Sequence, residues 1–210
     1  MRLHMIFDTV PVEPIGTNCC LIGDEAANVC AVVDPGGSPE LVLDMVARSG
    51  LELKMVLLTH AHYDHVGAIP ALLEQYPDLP VYAHEGELCP AGSPNPRYFL
   101  PHLGGNQRTY GEGDTVKLGG LVIRVLHTPG HSRGSVTLLA GDLMLSGDTL
   151  FAGSCGRVDL PGGDEGQMWA SLARLGRLTE DWTVWPGHGE ATSLDYEKQT
   201  NPYLRQALAR

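Results

Sequence analysis

Thr59-His60-Ala61-His62-Tyr63-Asp64-His65 stands between a strand-like run, Lys54–Leu58, and a stretch with helical spacing, Gly67–Pro77. The side chains of this heptapeptide therefore emerge at a strand end, where the backbone turns into a helix. Residues two apart on extended backbone share a side, so His60 and His62 can hold one ion together. The turn into the helix then brings Asp64 and His65 round toward a second ion. Imidazole and carboxylate donors suit zinc, iron or manganese, and no thiolate lies nearby to make a structural cysteine-type zinc site.

Working outward, three further donors sit at expected strand ends. They are His131 in HTPGHSRGS (127–135), Asp148 in LSGDTLF (145–151) and His188 in WPGHGE (185–190). Each has glycine beside it, which permits close approach of backbone to a bound ion. Any one of them alone reads as a polar residue in a turn. Taken with the heptapeptide they complete a set of seven that uses five of the nine histidines.

The rest of the chain alternates short strand-like and helical runs. CLIGDEAANVCAVVDPGG (20–37) reads as two strands around a polar turn, stopped by Pro35-Gly36-Gly37. Ser38 is placed to cap a helix that puts Leu41, Val42, Met45 and Val46 on one face and ends at Gly50. LPVYAH is a strand, and the stretch from Cys89 to Gly105 is a loop or a set of short helical turns. Strands follow over Thr115–His131, then a hairpin turning at Gly141-Asp142, a helix over MWASLARLGRL, a strand over WTVWPGH and an ending helix over TNPYLRQALAR. Without repeats or a linker, the 210 residues read as a single layered α/β domain.

With these motifs in place, the sequence resembles the metallo-β-lactamase superfamily from DPGG (34–37) to PGHG (186–189). The resemblance implies an αββα sandwich of two mixed β-sheets flanked by helices, with two metal ions at one edge. It implies His60, His62 and His131 on the first metal and Asp64, His65 and His188 on the second. Asp148 would bridge both, and Asp64 would also orient or deprotonate the nucleophile. The expected cofactors are two divalent transition-metal ions, zinc first, with iron or manganese as alternatives. Flavodiiron reductases carry glutamate at the position of His62, zinc β-lactamases generally lack the bridging aspartate, and nucleic-acid-processing members need a large insert.

Phe151–Gly163 (FAGSCGRVDLPGG) and EKQTNPYL (197–204) resemble the short, single-domain hydroxyacylglutathione hydrolases of glyoxalase II type. The implied reaction is hydrolysis of a small thioester or ester by a metal-bridging hydroxide. Long-form glyoxalase II adds a C-terminal helical domain, whereas this chain ends 22 residues after His188. Two tyrosines that hold glutathione there fall at Asp159 and Glu190 here, and a lysine near the thiol is matched by Arg157. A persulfide dioxygenase, with one iron on two histidines and the aspartate, shares a GRxD loop like Gly156–Asp159. That family carries alanine before its last histidine, unlike Pro186-Gly187-His188. A lactonase is a third reading.

Composition narrows the partners. Fourteen basic against 25 acidic residues give a net charge of −11, with no basic run to follow a phosphate backbone, so nucleic acid is excluded as a partner. No stretch approaches the roughly 18–20 continuous apolar residues of a membrane helix, and MRLHMIFDTVPVEP lacks a signal-peptide core. Five cysteines without CxxC spacing point to a reduced, cytoplasmic protein.

Several residues keep two readings. Arg157 is placed either to grip a substrate carboxylate or to pair with Asp159 or Asp164. Asp34 either orients a ligand histidine or simply opens the Asp-Pro-Gly-Gly turn. His84 and His127 read as packing or supporting groups, Cys155 as buried filler, and Trp169, Trp182 and Trp185 as core.

Overall fold

Alternation with period two sorts the apolar strand residues into three packed layers. In the computed structural model, which describes residues 5–89 and 96–210, six strands follow one another across a first sheet. They are β1 (Met5–Val12), β2 (Thr17–Asp24), β3 (Val29–Val33), β4 (Glu52–Leu57), β5 (Val81–His84) and β6 (Gln107–Tyr110). β1, β2 and β3 pair antiparallel, while β3 to β6 run parallel. Parallel neighbours need crossovers. Helix α1 (Pro39–Ser49) supplies one, and α2 (Tyr63–Val66) with α3 (Ile69–Gln75) supplies the next.

The second half repeats the plan. β7 (Thr115–Leu118), β8 (Leu121–His127), β9 (Val136–Ala140) and β10 (Leu143–Gly147) form an antiparallel meander. A two-stranded flap, β11 (Leu150–Phe151) and β12 (Ser154–Cys155), and helix α4 (Glu165–Gly176) come next. β13 (Thr183–Pro186) then lies parallel to β10, with β14 (Thr192–Ser193) at the edge, before α5 (Leu194–Thr200) and α6 (Pro202–Ala209) close the chain.

Cys20 and Ile22 of β2, Ala31 and Val33 of β3, and Leu57 of β4 meet Ile123, Leu138 and Leu145 between the two sheets. Their alternates Cys19, Leu21, Cys30, Val32 and Val56 face the other way onto Val42 and Met45 of α1 and Leu72 of α3. On the far side, Leu139 and Met144 pack on Leu172, Leu175 and Leu204 of α4 and α6. Each fully buried aliphatic side chain contributes about 1.5–3 kcal/mol relative to exposure, so the three layers hold the αββα order that the resemblance implies.

Several expectations need correction. Leu41 lies outside the buried face of α1 and is 47% exposed. Ser38 occupies the N-cap position at φ 45° without capping; its Oγ accepts from the Glu13 amide at 3.1 Å. The ending helix expected over TNPYLRQALAR is present as α6, but a further helix, α5, precedes it. Asn201 ends α5 and caps α6, its Oδ1 accepting from the Tyr203 and Leu204 amides at 2.9 and 3.2 Å, with Pro202 opening the new helix. Trp182 is core, but Trp169 is only half-buried, stacked on Tyr203 with the Arg210 guanidinium 4.1 Å above its ring. Among the described residues no helix is long and apolar enough to cross a membrane.

Candidate metal centre

The parallel strands of both sheets point their C-terminal ends at one edge, and all seven predicted donors arrive there. His60 follows β4, His62 precedes α2, and Asp64 and His65 belong to it. His131 lies in the loop after β8, Asp148 directly after β10, and His188 two residues beyond β13. Six of the seven are buried, from 0% exposure for His60 and His65 to 8% for Asp148; His188 is half-buried.

Their nitrogens and oxygens fall into three overlapping groups whose atoms lie within 4.8 Å of one another: His60–His62–His131, His60–His65–Asp148 and Asp64–His65–His188. Asp148 faces both ends of the cluster. Its Oδ1 is 3.5 Å from His65 Nε2, while its Oδ2 is 3.4 Å from His131 Nε2 and 3.6 Å from His188 Nε2. Asp64 Oδ2 lies 3.2 Å from His188 Nε2 and 3.4 Å from His65 Nε2.

Surrounding hydrogen bonds turn the ring lone pairs inward. His131 Nδ1 donates to the Arg157 carbonyl at 2.7 Å, which leaves Nε2 as the acceptor. His65 Nδ1 donates to Asp34 Oδ2 at 3.0 Å. Thr59 Oγ1 donates to the same carboxylate at 2.6 Å and lies 3.2 Å from His60 Nδ1. Asp34 therefore serves both of its readings: it opens the turn at φ 51° and orients one histidine directly and another through Thr59.

Four buried atoms of the cluster, Nε2 of His60, His62 and His65 and Oδ1 of Asp148, have no hydrogen-bond partner among the described residues. A buried polar atom without a partner is costly, and three of the four belong to the close group His60–His65–Asp148, while His62 turns its Nδ1 to within 2.9 Å of His131 Nε2; such a set matches the donors of divalent transition-metal ions. Burial and the neighbouring imidazoles keep His60 far below its ordinary pKa. Burial and His131 likewise push His62 down to about 3, so both rings stay in the neutral form a cation needs. Burial depresses His65 too, but the carboxylates of Asp34, Asp148 and Asp64 outweigh it and raise it to about 9. Burial raises Asp64, yet the His188 hydrogen bond and His65 hold it well below the carboxylate range.

Glu87 is a supporting residue that sequence reasoning missed. This carboxylate, 1% exposed, accepts from the Ala61 amide at 2.6 Å on Oε2. Its Oε1 accepts from Ser132 Oγ at 2.6 Å and the Gly134 amide at 2.8 Å. It thus ties the segment holding His60 and His62 to the loop holding His131. Glycine permits two close approaches: a Cβ on Gly187 would stand 2.1 Å from Asp148 Oδ1, and one on Gly36 would stand 1.6 Å from the Asp64 carbonyl.

The weaker candidates settle in place. Arg157 pairs bidentately with Asp159, Nε to Oδ1 at 2.6 Å and an Nη to Oδ2 at 2.7 Å, while also lining a cavity of about 180 Å³ over the cluster. His84 and His127 stack on each other at 4.2 Å, away from the seven. Cys155 is half-buried in β12.

The family model of the metallo-β-lactamase superfamily matches residues 12–188. This chain belongs to that superfamily. The hydroxyacylglutathione hydrolase GloC of Haemophilus influenzae is 34% identical over 95% of this chain and 98% of its own. BLEG-1, described as a B3 metallo-β-lactamase, has a TM-score of 0.84 at 33% identity, covering 95% of this chain and 99% of that one. ETHE1 from Myxococcus xanthus has a TM-score of 0.80 at 34% identity, covering 94% and 84%. TTHA1623, solved in a di-iron-bound form, has a TM-score of 0.79 at 39% identity, covering 93% and 99%. Superfamily members with differently named activities thus share this fold at similar identity.

Proposed function

We propose that this protein is a metal-dependent hydrolase of small thioesters, of the hydroxyacylglutathione type. The observation that carries the reading is the convergence of two three-residue donor groups on a shared Asp148, in a chain 34% identical to GloC along nearly its whole length. His60, His62 and His131 would hold one divalent ion, Asp64, His65 and His188 a second, and Asp148 both. Zinc is the first choice for so imidazole-rich a set; iron is the second, supported by the di-iron form of TTHA1623. Bound ions supply Lewis acidity, lowering the pKa of a coordinated water toward neutrality and polarising a carbonyl.

The chain's own residues provide the rest. Asp64 Oδ2, held by Thr17 Oγ1 at 3.2 Å, orients the attacking group and is placed to receive its proton. His62, His131 and Asp148 line the floor of the 180 Å³ cavity, and Arg97, Tyr98 and Leu160 its walls. No serine or cysteine nucleophile is required. Arg157 offers the cavity a cation suited to a substrate carboxylate, but it must share that charge with Asp159. Arg157→Ala is therefore expected to raise KM by about 2- to 12-fold, the worth of one net hydrogen bond. Metal content should stay constant, because the carbonyl that anchors His131 is retained; measured metal loss with unchanged KM would make Arg157 a loop-holding residue only.

The test of the reading compares three substrates on one metal-loaded preparation. S-lactoylglutathione should be cleaved without oxygen, releasing free thiol. Glutathione persulfide with the ferrous protein should draw little oxygen, and a β-lactam should turn over slowly by comparison. Rapid oxygen uptake on persulfide, or efficient lactam opening, without thioester cleavage would reverse the assignment.

A further inference from the structure

An apolar cavity of about 450 Å³ adjoins the metal-site cavity. Val66, Ile69 and Leu73, from α2 and α3, form one wall, and Phe99, Leu100 and Leu103 form the other. Its volume falls in the range of small-molecule sites, about 300–1,000 Å³. Two residues, Tyr63 and Arg97, line both cavities and form their junction. Tyr63 sits between the donors His62 and Asp64, and the Arg97 guanidinium lies 4.1 Å over its ring.

The two cavities are chemically opposite. The cavity over the donors holds histidines, aspartates and arginines and is small for a thioester with both of its arms. The adjoining one is walled almost wholly by aliphatic and aromatic carbon. A substrate whose reacting carbonyl lies over the donors can send one arm past Tyr63 and Arg97, and an apolar arm gains there by leaving water for an apolar wall.

We propose that this second cavity is the acyl subsite, and that the preferred substrates are thioesters with an apolar acyl chain of several methylenes. The inference rests on the thioesterase reading for its chemistry and on the two cavities for its specificity. Burying one methylene yields about 0.8 kcal/mol, so kcat/KM should rise about fourfold for each methylene added until the cavity is filled. The anionic thiol half stays at the polar mouth, where Arg97 and Arg157 are the cations.

Two series of probes test this on the metal-loaded protein. The first is hydrolysis of S-acetyl-, S-butanoyl-, S-hexanoyl- and S-octanoylglutathione. The second is calorimetric binding of the uncleavable thioethers S-methyl- and S-octylglutathione, which reads the subsite without turnover. Wild type should favour the longer chains in both. Leu103→Phe and, independently, Leu73→Phe narrow the cavity without touching a donor. Both should flatten the preference, read as the ratio of S-octanoyl- to S-acetylglutathione kcat/KM, with melting temperature checking the fold. Equal rates along the acyl series with equal thioether binding would overturn the proposal, as would a chain-length preference that survives both substitutions. If no thioester is cleaved while S-octylglutathione still binds tightly and loses affinity in the variants, the hydrolase reading fails and the subsite stands.

Discussion

Asp148→Ala is expected to take the protein from about two bound ions per chain to fewer than one, and to lower thioester kcat/KM at least about 100-fold. Asp148 is the one carboxylate whose two oxygens face His65 on one side and His131 and His188 on the other. Alanine removes the shared donor and leaves five imidazoles crowded at 4.0–5.4 Å between ring centres, with Asp64 the one carboxylate left of the seven donors and Asp34 behind His65. Elemental analysis and activity on the same preparation give the answer. Two tightly held ions in the variant would show that the groups on either side are independent sites.

The second large effect belongs to Glu87, which touches no substrate and acts by positioning. Glu87→Ala leaves the Ala61 and Gly134 amides without their acceptor in a buried place, while the Ser132 hydroxyl keeps Ser135 Oγ at 2.6 Å. Each lost partner costs about 1–3 kcal/mol, offset in part because burial already raises the carboxyl's pKa and disfavours its charge. The net expectation is about 2–4 kcal/mol of lost stability, or a melting temperature lower by about 4–16 °C. Metal affinity should fall about 10- to 100-fold, as for other groups that support ligands. Glu87→Gln keeps the shape and one acceptor oxygen, so it should recover most of the stability and only part of the affinity. A Glu87→Ala protein that melts normally and binds metal normally would remove this carboxylate from the account.

These two residues differ in how far the sequence exposes them. Asp148 is readable because it follows an apolar strand, sits beside glycine and completes a set anchored by the contiguous His60–His65 segment. Glu87 carries no such sign: an acidic residue in a short polar stretch looks solvated, and only the approach of Ala61, Ser132 and Gly134 from elsewhere in the chain makes it a tie. Asp34 lies between these cases. Its turn chemistry is local and legible, whereas its bond to His65 depends on β3 and β4 being parallel neighbours.

The same distinction runs through the fold. Strands that are continuously apolar, such as Cys19–Ile22 and Val29–Val33, read as covered on both faces, and they are. β1 hides behind Asp8, Thr9 and Pro11, because an edge strand tolerates polar residues and proline that blur the pattern. TNPYLRQALAR shows the last helix, whereas α5 before it is short and polar and leaves no apolar stripe to read. The capping bonds from Asn201 set where the last helix starts. The apolar cavity beside the metal centre is legible only in space, since its walls come from α2, α3 and residues 97–103.

The most direct test of the central claim is a metal titration of chelator-stripped protein, with bound ions and thioester hydrolysis followed together. The account predicts that activity climbs until about two divalent ions are bound per chain and then levels off. A plateau at one ion, with full activity and no further tight binding, would contradict it.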